Sequence, residues 1–121
     1  MNREIKFRAW DKRHNEMYDW ETIKAEFTMK DFEHEDLVWL HYTGLKDGAG
    51  YEIYEGDILI EYPHQNLHEV IWDEYGLFLF NPVGASGEAV DYYEFEETAT
   101  SLSFVQSNIY KNPELLVGDK N

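Results

Sequence analysis

His64 and His68 stand four residues apart, and Glu69 follows. On a helix that spacing puts two imidazoles on one face, where they could hold a transition metal. Pro63 precedes the pair, however, and the segment lies between two strand-like runs, so it reads as a hairpin loop without that geometry. The Glu directly after the first His that a zinc-protease helix needs is also missing. His34 lies between Glu33 and Glu35, and His41 lies beside Tyr42. An acidic neighbour favours the charged imidazole and moves its titration upward. Residues 30–36, KDFEHED, read instead as a solvated charge run. Two-carboxylate hydrolysis needs acids facing each other across a cleft, and among 25 acidic residues chance pairs are certain. Ser86, Ser101 and Ser103 lack a nucleophile-elbow pattern. Neither a phosphate-binding glycine loop nor a dinucleotide fingerprint is present. The chain has no cysteine, which excludes thiolate chemistry and disulfides and fits a reducing cytosol. The expectation is a non-enzyme with no catalytic residue, no cofactor and no metal ligand.

The elements that would position any site are those of one small domain. At 121 residues the chain suits a single compact unit, and 43% hydrophobic residues suffice for a core. Aromatic residues make up 17%, which leans toward pleated, half-buried surfaces. A net charge of −15 argues against direct binding to nucleic acid, which needs Lys and Arg to neutralise phosphates. Only the start of the chain is rich in bases, at Arg3, Lys6, Arg8, Lys12 and Arg13. The N-terminus has no apolar signal region, and the longest apolar runs are far too short for a bilayer. A cytoplasmic protein without membrane contact is expected.

Ile5, Phe7 and Ala9 alternate with polar residues as a half-buried strand. After the polar turn 11–15, Met17-Tyr18 and Trp20 are expected to return as its partner. Residues 22–27 fit a strand or a helical turn. Leu37 to Tyr42 reads as a buried strand, and 46–50 as a turn supplied with glycine. Glu55-Gly56-Asp57 leads into a strand in which Ile58, Ile60 and Tyr62 share a face, ended by Pro63. Residues 63–68 read as a polar loop, 70–72 and 77–80 as strands, and 81–87 as a loop. Tyr92 to Glu96 reads as a weak strand with Tyr93 and Phe95 inward, and 102–106 as the last strand. Residues 108–116 read as a turn or short helix. Many short strands at this spacing predict an all-β barrel or sandwich with minor helical turns.

Five segments carry a family resemblance: IKFRAWDK at 5–12, Met17-Tyr18, YTGLKD at 42–47, GYEIYEGDIL at 50–59 and NIYKNPELL at 108–116. In them the chain resembles the YopX family, small proteins encoded by phages and prophages of bacteria. Ser107 departs from the pattern, where the family usually carries glycine. The resemblance implies an N-terminal strand-rich subdomain over about 1–41, an SH3-like barrel over 42–117 and a frayed tail at 118–121. It implies no catalytic residues. Gly44 and Gly56 fit turns, Asp57 can bond its own turn backbone, and Trp10, Ile53, Tyr54 and Ile58 fit a core.

SH3-like barrels often bind peptides through exposed aromatic residues between loops. Tyr51, Tyr54, Tyr62 and Tyr75 are the candidates for such contact, whereas Trp72 reads as core. The function expected is that of a phage accessory protein acting as a protein-binding or assembly module. The alternatives are an acidic DNA-mimic decoy of a basic host protein and a metal-dependent hydrolase. Leu37 to Tyr42 and Leu77 to Phe80 are apolar on both faces. A small domain has little interior for that, so a homo-oligomer is expected alongside an unknown protein partner.

Overall fold

The computed structural model describes residues 5–63, 65–72, 78–83, 89–98 and 100–117. The first strand, β1 (Phe7–Asp11), pairs antiparallel with β2 (Glu16–Tyr18), Trp10 opposite Met17. Asn15 takes the left-handed backbone that closes the turn between them (φ 54°). Trp20 does not continue that strand, because Asp19 caps a helix. Its carboxylate accepts the Thr22 N–H, and α1 (Trp20–Glu26) runs about two turns with Ile23 buried. A single 3-10 turn, Asp31–Glu33, leads to the long strand β3 (Leu37–Lys46).

β3 is shared along its length. Residues 37–41 pair with β1, and Tyr42 and Lys46 pair with β4 (Glu52–Tyr54) across a bulge. Gly44 sits inside this strand with φ +90°, so it serves the bulge rather than a turn. The resulting sheet has the order β2-β1-β3-β4.

A tight turn at Glu55-Gly56 opens the second sheet. Its strands are β5 (Asp57–Glu61), β6 (Asn66–Trp72), β7 (Phe78–Val83), β8 (Val90–Asp91) and β9 (Ser103–Asn108). They lie in the order β8-β7-β6-β5-β9, and the sheet forms a half-barrel. Two strands are longer than the sequence predicts. β6 takes in Asn66 to Glu69, so His68 lies in the sheet opposite Leu59 and Pro82, not in a loop. β7 takes in Asn81 and Pro82, because the ladder with β6 continues to Leu67–Val83.

The weak strand expected at 92–96 is instead a helix, α2 (Tyr92–Thr98), opened by the Asp91 carboxylate accepting the Glu94 N–H. Tyr92 and Phe95, three apart, face the core, while Tyr93 points outward and is 66% exposed. A helical period thus overrides the apparent alternation. Short 3-10 segments, Thr100–Leu102 and Pro113–Val117, flank β9 on either side.

The core lies between the half-barrel and the β3–β4 hairpin: Leu45 and Ile53 meet Leu59, Val70, Phe78, Phe80 and Phe95. Phe80 and Phe95 stack with centroids 3.8 Å apart. The two-faced apolar strand at 37–42 finds cover within its own chain. Trp39 packs between Phe27 (5.9 Å) and Phe32 (4.8 Å).

Candidate functional site

The Glu55-Gly56-Asp57 turn is the mechanical centre of the molecule. The Asp57 carboxylate is buried; it accepts the Tyr54 N–H at 2.8 Å and pairs with the Arg8 guanidinium from β1. Arg8 also lies over the Tyr54 ring, 4.7 Å from its centroid. Burial pushes the Asp57 carboxyl up, and the Arg8 charge opposes that shift. Beside it, Glu52 receives Lys6 and the Tyr54 hydroxyl. Burial works against the Glu52 charge, but those two bonds outweigh it and hold the carboxyl below its ordinary value. Burial, reinforced by Glu52, pushes the Tyr54 phenol well above its ordinary range. Lys6 and Arg8, two of the bases that could have formed a basic patch, are thus turned onto acids, Glu52 of the same sheet and Asp57 of the other.

Gly56 is held on three sides. Its N–H donates to Val70, its carbonyl accepts from Ile109, and a Cβ there would lie 3.2 Å from the Tyr110 ring. Tyr110 in turn stacks on buried Trp10. The Asp11 carboxylate closes the other hairpin by accepting from His14, the Arg13 N–H and the Tyr18 hydroxyl. The His14 bond, helped by the other two against the cost of burial, holds its carboxyl far below the ordinary range. Burial and the Asp11 carboxylate together push the Tyr18 phenol up to about 12.

The histidines are dispersed. His41 Nδ1 lies 3.1 Å from Glu55 and its ring stacks on Trp72 at 5.3 Å, whereas His34 lies 3.9 Å from Asp36. His64 lies outside the described residues, so the pair expected at 64 and 68 has only its second member in view. Among the described residues no group of three or more His, Asp or Glu is placed to hold a metal ion.

Of the four candidate contact tyrosines, two are exposed. Tyr51 is 70% exposed and Tyr62 is 42% exposed, at the end of β5. Tyr54 is buried at 7%, its ring held under Arg8 and its hydroxyl on Glu52, so it belongs to the core. Tyr75 lies outside the described residues. Trp72, expected in the core, reaches the surface near the end of β6.

Tyr51 and Tyr62 flank the same strand, β9. The Tyr62 N–H donates to the Leu102 carbonyl at 2.9 Å, and its ring meets Phe104 edge-on at 5.8 Å. The Tyr51 N–H donates to Asp47, whose other oxygen accepts the Val105 N–H at 2.8 Å. Next to Asp47, the Gly48 N–H donates to the Ser103 carbonyl, and a Cβ on Gly48 would come within 2.9 Å of the Phe104 ring. The turn at 47–51 thus caps the outer edge of β9 and completes a rim of Tyr51, Tyr62, Leu102 and Phe104. The sequence reading missed Leu102 and Phe104. Their alternation predicts a strand, but nothing in it places them beside Tyr62.

The architecture is that of a small, mostly β protein of two sheets, tied together by the buried Arg8–Asp57 ion pair and carrying an exposed aromatic rim. The chain belongs to the YopX protein family, whose model matches residues 6–117. Among solved structures it is similar to protein EF1440 from Enterococcus faecalis. The two share 24% identity over 95% of this chain and 99% of that one, with a TM-score of 0.60, a likeness of fold. Comparison with curated proteins gives no match. No described helix is long and apolar enough to cross a membrane.

Proposed function

We propose that this protein is a non-enzymatic accessory protein of phage or prophage DNA, working in the bacterial cytoplasm. It binds another protein through the rim of its SH3-like half-barrel. The observation that carries this reading is the rim itself. Tyr51, Tyr62 and Leu102 are exposed around one strand end, and each is fixed through its own backbone, Tyr62 to Leu102 and Tyr51 through Asp47 to Val105. The Tyr62 ring is also held edge-on against Phe104, and aromatic side chains lose little freedom on contact, which favours them as anchors. Three acids that a phosphate-mimicking surface could have used, Asp11, Asp47 and Asp57, are buried and bonded within the fold. That lends the decoy reading less support than the rim lends docking.

The test is capture with the tagged full-length chain from cells carrying the parent prophage. A partner recovered by the native chain and lost with the Tyr62→Ser/Leu102→Ser variant, its melting temperature unchanged, is the expected result. Equal recovery by both overturns the assignment to the rim.

A further inference from the structure

Directly behind the rim three polar side chains share the inner face of the half-barrel. Ser103 pairs with Glu61 across β9 and β5, and His68 sits diagonally from Glu61 on β6, its Nδ1 3.9 Å from the carboxylate. Their common face follows from the register. Glu61 lies two residues from Leu59, Ser103 two from Val105, and His68 two from Val70; Leu59 and Val70 belong to the core cluster and Val105 packs against it. Directly opposed side chains of antiparallel strands lie about 5 Å apart at Cβ.

Ser103 is fully buried and His68 more than nine-tenths buried, yet neither Ser103 Oγ nor His68 Nδ1 has a hydrogen-bond partner among the described residues. Buried polar atoms in folded proteins are nearly always satisfied. Two such atoms beside one carboxylate leave bonding capacity that a donor from outside can fill. Among the described residues no Lys or Arg pairs with Glu61, whose side chain is 29% exposed and forms the way in.

We infer that Glu61, Ser103 and His68 form a receptor for a primary ammonium group, the side-chain tip of a lysine that a docked partner protein inserts behind the rim. An ammonium carries three donors and no acceptor. A carboxylate oxygen, a hydroxyl lone pair and a neutral imidazole nitrogen supply three acceptors. A guanidinium, with five donors in a planar fork, matches that set less well. Burial holds the His68 imidazole below its ordinary titration, which keeps it the neutral acceptor that the arrangement needs. The excess of negative charge, −15 over the chain, favours approach of a basic partner. The Tyr62 ring packs on Phe104, on the face of the sheet opposite Ser103 and Glu61. The rim and the entrance therefore share a strand end, and the long side chain of a lysine reaches from one face to the other around it.

The inference rests on the docking reading of the rim, but its test uses no protein partner. The isotope-labelled full-length chain is titrated with n-butylammonium chloride at constant ionic strength. The His68 imidazole and Ser103 amide signals are followed, with n-butanol and potassium chloride as controls. Saturable displacement by butylammonium alone is expected, with apparent affinity weakened about tenfold or more in Glu61→Gln and several-fold in Ser103→Ala. No response, a response that does not saturate, or an equal response to potassium overturns the site. A chain that binds butylammonium but loses no partner on rim substitution keeps the ammonium site and removes the docking reading. Rim-dependent capture without an ammonium response removes the site alone.

Discussion

The guanidinium of Arg8 meets the buried carboxylate of Asp57 across 49 positions of chain, and that contact fastens the N-terminal sheet to the half-barrel. Both partners are largely withdrawn from water, and Asp57 spends its second oxygen on the Tyr54 N–H. Removing one member strands the other as a buried charge. Asp57→Ala is expected to cost about 3–5 kcal/mol in urea unfolding, and Arg8→Met about as much. The double variant Arg8→Met/Asp57→Leu should cost clearly less than the sum. Additive losses would show that the two residues do not act as a pair.

The glycines separate backbone strain from crowding. Gly50 and Gly56 have nearly equal φ, +92° and +90°, but a Cβ at Gly50 meets nothing within 4 Å, whereas at Gly56 it meets Tyr110 at 3.2 Å. Gly50→Ala should therefore cost only the left-handed backbone term, about 1–2 kcal/mol. Gly56→Ala should cost more and should disturb Tyr110 resonances. Equal losses at the two positions would contradict the packing of Tyr110 on Gly56.

Acid should act in two steps. Burial holds His68 below its ordinary value of 6.5, so the unfolded chain takes up a proton that the folded chain refuses. Stability from this group is present above about pH 6.5 and falls as the pH drops below it. Asp11, held down chiefly by His14, contributes above its ordinary 3.8 and loses that contribution at lower pH. Asp57 and Glu69, raised by burial, act in the opposite sense, so differences between variants carry the test. The gap in urea midpoint between the native chain and His68→Leu should change between pH 8 and 5. The gap to Asp11→Asn should narrow only below about pH 4. A His68→Leu gap that is flat from pH 8 to 5 would contradict the buried neutral imidazole.

Much of this architecture is legible in the sequence because it is local. The period-two runs give β1, β3 and β5, and the glycine turn at 46–50 and the EGD turn stand where they are expected. The failures have physical causes. Asp19 and Asp91 cap helices where the apolar pattern alone suggested a strand or left the choice open. A ladder with β6 draws Asn81 and Pro82 into a strand despite their turn character. The rim was half legible. Exposure of Tyr51 and Tyr62 follows from their turns, but Leu102, Phe104 and the bond from Val105 to Asp47 join residues up to 58 positions apart. No local signal encodes that. Tyr54 is open to a core or a contact role in the sequence, and the approach of Arg8, from 46 positions away on another strand, decides for the core.

A second copy of the chain is one partner that the rim admits. Light scattering at micromolar concentration should then give a mass that is a multiple of 14.4 kDa. Acids around the contact are screened beyond about 8 Å at physiological salt, so the multiple should be clearer there than at low salt. A single-chain mass at both salt levels would remove self-assembly and leave a foreign protein as the partner.

The most direct measurement places a photo-cross-linking residue at Tyr62, and in a parallel chain at Met29, which is 80% exposed and lies outside the rim. Both chains are irradiated in cells carrying the prophage that the proposed function assigns to the protein. A discrete protein adduct at position 62, absent at position 29 and abolished by the added Leu102→Ser substitution, is the predicted result. Adducts of equal yield at both positions, or none at position 62 with the chain folded and expressed, would contradict a docking function for the rim.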